Sequence, residues 1–367
     1  MEGHEQSADD IIQAYCSDRF HEYRTLQELK QNPAAEAYFA KQGRRADATN
    51  NSTKEGKARA KFFYNQFQDI GRELHKATGA FTISWTRGLR TNILDMCMAP
   101  GGLLRVAIRR NPEAHITAFS LPPENGGHEV LLPPLKRQRQ AIKLLDVTML
   151  AADMGVETIP EDHTDFQNFL HKHLTAECLF DLVLCDGHVL RTHERAAYRE
   201  EREFSRLKAT QLALGLEHVK PGGTMVVLLH QLGYIYTAEI VHRFTKFSSV
   251  QLFKPLAGHA MRDSFYLIAK DIRADSADAV KATQDWKHFW EVATFGCAED
   301  FEALVHRDVL RAQELIDEFG EELVERGKEL WNVQAQALAK APFLKNRNAN
   351  RDGNHEAGAS PEASPET

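Results

Sequence analysis

The sequence predicts an α/β protein: a doubly wound, mostly parallel seven-stranded sheet with helical segments at both ends. Three observations carry that prediction. Short apolar runs alternate with longer amphipathic stretches through the middle of the chain, the texture of βαβ units. Seven of those runs have strand length, at residues 92–96, 116–119, 147–151, 182–185, 224–229, 250–253 and 264–269. The first leads into a turn with two adjacent glycines and then into a helix.

The 367 residues suffice for one large α/β domain with appended segments. At 43% hydrophobic and 26% charged residues, the balance is that of a soluble globular chain. The formal net charge of −7 is wrong for a general polyanion binder, so contact with nucleic acid would need a local basic patch. Cys16, Cys97, Cys178, Cys185 and Cys297 form no Cys-x-x-Cys pair, which argues against a zinc ribbon or redox motif. Reduced thiols are expected, hence an intracellular protein of the cytoplasm or nucleus. No leader-like apolar stretch opens the chain, and no apolar run reaches the roughly 18 residues that span a bilayer.

Residues 1–55 read as a helical N-terminal segment. Ile11, Ile12, Tyr15, Tyr23, Leu26 and Leu29 are spaced for one or two helices, and 43–55 is polar and breaker-rich, as in a loop. Residues 57–78 predict a helix with Phe63, Phe67, Ile70 and Leu74 on one face. The α/β domain is expected over 56–273, with a helix at 207–218 stopped by Lys220-Pro221-Gly222-Gly223. The mixed Arg and Glu of 191–206 read as an exposed charged helix. Residues 274–345 read as a helical extension, with Leu315, Phe319, Leu323 and Leu330 at helical spacing and Trp286, Phe289, Trp290 and Trp331 to pack on the α/β domain. The almost wholly polar 346–367 predicts a disordered tail.

Most information sits in Asp95-Met96-Cys97-Met98-Ala99-Pro100-Gly101-Gly102-Leu103. Ligands of open α/β sheets bind beyond the carboxyl ends of the strands. Glycine permits close backbone approach, and a helix N-terminus offers free N–H groups and a positive dipole end, so a carboxylate-bearing ligand suits the spot. The run is not Gly-x-Gly-x-x-Gly, which weakens a dinucleotide reading. The glycines alone leave an ordinary strand–turn–helix corner open.

The string Asp95 to Gly102 resembles the first motif of the FtsJ-like (ribosomal RNA large-subunit methyltransferase J type) family. Residues 180–187, Phe-Asp-Leu-Val-Leu-Cys-Asp-Gly, resemble its fourth motif, and 118–122, 152–153, 219–224, 254–255 and 264–269 follow in the family's order. The likeness runs from about Gly56 to Asp271. It implies a Rossmann-like methyltransferase fold, S-adenosyl-L-methionine as cofactor, and methylation of RNA ribose 2′-hydroxyls. The cofactor contacts so implied are Gly101, Gly102, Leu103, Ser120, Asp153 and Asp186, with Ser120 standing where the family has an acidic residue.

The family's Lys-Asp-Lys-Glu set is incomplete. Asp186 matches its aspartate, but Leu228 holds the place of the central lysine and Ser264 that of the glutamate. Strict register puts Phe63 at the first lysine, with Lys61 two residues away. A ribose hydroxyl needs a base or an activating lysine. Asp186, His230 and Lys61 are therefore the catalytic candidates, His230 because it lies two residues past Leu228 on the same strand face. Three readings stay open: transfer to a better nucleophile, His230 as base, or an inactive domain that binds RNA or protein. Lys54, Lys57, Arg59 and Lys61 with Phe62, Phe63 and Tyr64, and Lys136, Arg137, Arg139 and Lys143, are basic clusters suited to phosphates and bases. A small-molecule or protein acceptor also fits, and no metal motif is present.

Overall fold

The structure, a computed structural model, describes residues 7–47, 53–83, 90–134 and 140–345, without the side chains of 42–47 and 345. Lys136, Arg137 and Arg139 and the 346–367 tail lie outside the described residues.

Ser7 opens the first helix through a reciprocal capping box with Asp10. Three helices follow where one or two are expected: α1 (Ala8–Arg19), α2 (His21–Lys30) and α3 (Pro33–Asp47). The third runs through the first part of the expected 43–55 loop. Thr53 caps α4 (Lys54–Thr78), which ends at Gly79 in the left-handed region, φ 65°.

The α/β unit consists of β1 (Asn92–Asp95), α5 (Gly102–Arg110), β2 (His115–Ser120), β3 (Gln140–Leu144), β4 (Phe180–Cys185), α6 (Glu203–His218), β5 (Val219–His230), α7 (Ile235–Phe247), β6 (Ser249–Phe253) and β7 (Ser264–Lys270). After it come α8 (Ala277–Phe295), α9 (Ala298–Val305), α10 (Val309–Ala339) and α11 (Pro342–Lys345). The seven strands are ordered β3-β2-β1-β4-β5-β7-β6. All pairs are parallel except those of β7, which runs antiparallel to β5 and β6. Strand order reverses between β1 and β4, the switch point where such sheets bind ligands.

Alternation along the central strands feeds two cores. Ile93, Leu182, Leu184, Val226 and Leu228 face α4 and α5, with Ile70, Leu74, Leu104 and Val106. Leu94, Val183, Cys185, Val227 and Leu229 face the other way, into the cluster that contains α6, α7, α8 and α10. Both extensions join this second core. Trp331 of α10 meets the ring of Tyr23 at 4.5 Å and that of Phe20 at 6.1 Å. Trp290 of α8 donates its indole N–H to the carbonyl of Thr148 at 3.0 Å. Among the described residues no helix is long and apolar enough to cross a membrane.

Two expectations are corrected. The third strand is β3, not 147–151, where Val147–Met149 forms a short 3-10 turn. β3 is an edge strand of partly exposed residues, so it lacks the apolar run of a buried strand. The run at 147–151 is apolar because it is tucked into the core. Residues 191–206 are not an exposed helix either: Arg199, Glu203 and Arg206 are buried.

Candidate active site

The turn after β1 builds the first part of the site. Asp95 ends the strand and accepts the N–H of Cys97 at 3.1 Å. Burial pushes its carboxyl up to about 8, against that hydrogen bond and with help from nearby Asp186. The Ala99–Pro100 peptide is cis, and Gly101 caps α5 at φ 101°, a backbone that only glycine adopts readily. Gly102 serves another purpose. A Cβ there would lie 2.2 Å from the Tyr64 carbonyl oxygen and 2.8 Å from Phe67 Cβ, so its hydrogen lets α5 press against α4. The first helical bond is Arg105 N–H to Gly101 O, which leaves the N–H groups of Gly102, Leu103 and Leu104 without an acceptor inside the helix. Leu103 itself is buried in the core shared with α4.

Ser120 ends β2 at the same sheet edge and is buried. The Asp153 carboxylate accepts the backbone N–H groups of His173 and Leu174 at 2.7–3.1 Å, tying down a loop. The acid just past β3 is Asp146, two residues beyond Leu144. Its place follows from the correction to the third strand, and only the misplaced strand hid it.

Asp186 lies one residue past β4. Tyr266 of β7 donates its hydroxyl to Asp186 Oδ1 at 2.7 Å. Burial pushes the Asp186 carboxyl up to about 7, opposed by the Tyr266 hydrogen bond and the charge of Lys208. Beyond it stands a group of histidines. The rings of His188 and His230 are 5.3 Å apart, and His259 Nδ1 shares a 2.6 Å hydrogen bond with Ser264 Oγ. Ser264 pairs with His230 across β5 and β7. Burial, then the charges of His188 and Lys208, push His230 down to about 3, and its buried Nδ1 has no hydrogen-bond partner. Burial likewise pushes His259 down to about 3. Of the sequence candidates, Asp186 and His230 are linked through Lys208, whose charge acts on both. Lys61 is exposed on α4, and the described partners of Asp186 are Tyr266 and Lys208.

A second buried group adjoins the ends of β2 and β3. Arg199 donates to Asp146 at 2.5 Å and to Glu203 at 2.7 and 2.9 Å, and Arg206 donates to Glu203 at 2.9 Å. Burial alone would raise the Asp146 carboxyl, but the His193 hydrogen bond and the Arg199 guanidinium hold it well below the usual range. Asp146, His193 and Glu203 bring ligand atoms within 4.8 Å of one another, the spacing of a metal site. Arg199 already supplies the cation there. The segment carrying these groups reaches across the sheet edge, where the Thr192 hydroxyl donates to Gly126 O at 2.8 Å.

No curated protein matches the chain. Solved structures with some likeness include an rRNA methylase from Streptococcus thermophilus (8% identity, 55% of this chain and 96% of that one, TM-score 0.29). Two others are the N-methyltransferase NodS from Bradyrhizobium japonicum WM9 (14%, 57% and 98%, 0.31) and an O-methyltransferase family protein from Burkholderia thailandensis (14%, 71% of each, 0.32). Likenesses this distant do not bear on activity. The match that does runs over residues 72–272, more than half of the chain, from within α4 through the glycine turn and Asp186 to the end of β7. By that match the chain belongs to the FtsJ-like methyltransferase family.

Proposed function

We propose that the chain is an S-adenosylmethionine-dependent methyltransferase acting on RNA, with Asp186 taking the acceptor's proton. The observation that carries the choice of RNA is where α4 puts its charges. Tyr64 meets Gly102 at the start of α5, and Gly71 meets Leu103 and Val106 further along, so the two helices run side by side in one direction. The ten residues from Tyr64 back to Lys54 therefore project about 15 Å past the start of α5, beyond the carboxyl edge of the sheet. Lys54, Lys57 and Lys61 are all exposed on this projection at helical spacing, beside Phe62, which is 59% exposed. Lysines so placed suit phosphates, and an exposed ring suits a base. Lys61 belongs to this rail and not to the chemistry at Asp186.

The residues present fit the cofactor. The N–H groups of Gly102, Leu103 and Leu104, turned by Gly101, suit its carboxylate. The Ser120 hydroxyl suits a ribose, and Asp146 replaces Asp153 as the acid at the adenine end. When bound, S-adenosylmethionine supplies an electrophilic methyl group on a sulfonium sulfur that leaves as a neutral thioether. Asp186 does the proton chemistry: a carboxyl pushed up to about 7 is half ionised near neutral pH and accepts the hydroxyl proton as the acceptor oxygen is methylated. His230, neutral at that pH, orients the acceptor by hydrogen bonding and is too weak a base to hold the proton.

A second reading is a binding module without turnover. It is favoured by the ties of Asp146 to Arg199 and His193, which commit the acid at the adenine end to the protein's own cations. Incubation of the chain with tritiated-methyl S-adenosylmethionine and total RNA separates the two. The proposed activity gives ribonuclease-sensitive label that falls about 100-fold or more in Asp186→Ala. Label absent from RNA contradicts the proposal, and full transfer by Asp186→Ala removes Asp186 from it.

A further inference from the structure

Lys208 of α6 is 3% exposed, and lysine is almost never so buried without a counter-charge. Its ammonium donates to the carbonyl of Leu228 at 2.6 Å. Leu228 stands opposite Tyr266 in the β5–β7 ladder, and the Tyr266 hydroxyl holds Asp186. The acidic groups that sense the ammonium are Cys185, Asp186 and Cys97, and the basic ones are His188 and His230. Asp186 also faces Asp95, whose own ionisation opposes it. Asp186 is thus the carboxylate among the groups whose charge acts on this lysine.

We propose that Lys208 is a positioning residue for the transfer step, its ammonium fixed at the Leu228 carbonyl as the counter-charge of the Asp186 carboxylate. The charge that a lysine at position 228 would bring along the strand arrives instead from the neighbouring helix, at the backbone of that same residue. The inference rests on Asp186 as the proton acceptor. The proton passes from the acceptor hydroxyl to Asp186, and Lys208 keeps its own throughout. Burial brings Lys208 down to about 8 against the opposing pull of Cys185 and Asp186, so it remains an ammonium at neutral pH.

The test does not need turnover. In full-length protein carrying ¹³C at the aspartate carboxyls, the Asp186 resonance is identified by its loss in Asp186→Asn and followed against pH. Lys208→Met is expected to raise the Asp186 midpoint by about one pH unit, and Lys208→Arg to return it to within about half a unit of wild type. Lys208→Gln gives the same reading should Lys208→Met fail to fold. An Asp186 midpoint unmoved by both neutral variants overturns the proposal. Where RNA is labelled, the acid limb of the pH–rate profile is expected to move up by the same amount. Absence of RNA labelling by wild type counts against the proposed reaction alone, because the titration still decides the pairing.

Discussion

Two buried groups of charges lie along one edge of the sheet, and they are wired differently. Around Asp146, two arginines and three carboxylates hold each other: Arg199 binds Asp146 and Glu203 and lies 3.9 Å from Asp165, and Arg206 binds Glu203, the Thr148 carbonyl and the Thr294 hydroxyl. Around Asp186, two acids are pushed towards neutrality, a lysine rests on a single carbonyl and a histidine nitrogen has no partner. Matched charges offset the desolvation of burial and fix a fold, whereas under-matched ones keep proton affinities near the working pH. The first group secures the segment after β4; the second is where the proposed proton transfer is placed.

Breaking the matched group has the largest expected effect. Arg199→Met leaves Asp146 and Glu203 buried without their main cation and is expected to cost about 3–5 kcal/mol in urea unfolding. A loss under about 1 kcal/mol would mean that the network is not structural.

The under-matched group predicts a gain instead. The folded Asp186 carboxyl titrates at about 7, above its ordinary value of 3.8, so its favourable contribution is complete below 3.8 and is lost as pH rises through 7. Asp186→Asn still accepts the Tyr266 hydroxyl but carries no charge. Its stability relative to wild type is expected to be unchanged near pH 4 and to rise by about 2–4 kcal/mol above pH 7, while transfer is lost. A flat difference across that range would show that Asp186 is not held near neutrality.

The smallest effect on folding sharpens the comparison from outside. Replacing Lys54, Lys57 and Lys61 together by Glu is expected to change stability by no more than about 0.5 kcal/mol. The slope of log binding constant against log salt for single-stranded RNA should fall by about 2. An unchanged slope would place the RNA elsewhere.

The central strands were legible because both faces are covered, which makes them apolar runs, and β1 and β4 carried their motifs with them. β3 was not, since an edge strand with Gln140 and Lys143 in it has no such run, and without it Asp146, two residues past its end, drew no attention. Arg199, Glu203 and Arg206 looked like surface because a sequence shows their charges but not that they meet Asp146 and Thr148, more than 50 residues earlier. Lys208 was hidden for the same reason: a lysine in an amphipathic helix ordinarily points to water. Sequence spacing singled out both Asp186 and His230, but it does not report burial, which pushes the aspartate up to about 7 and the histidine down to about 3 and so favours the aspartate in the proposed proton transfer.

Calorimetric titration of the chain with S-adenosylmethionine and S-adenosylhomocysteine decides whether the glycine turn holds the methyl donor. Micromolar binding, roughly −8 kcal/mol, is expected, and Gly101→Val abolishes it by removing the left-handed turn before α5. Binding of neither compound would contradict that expectation, and would leave a methyltransferase fold that does not hold the methyl donor.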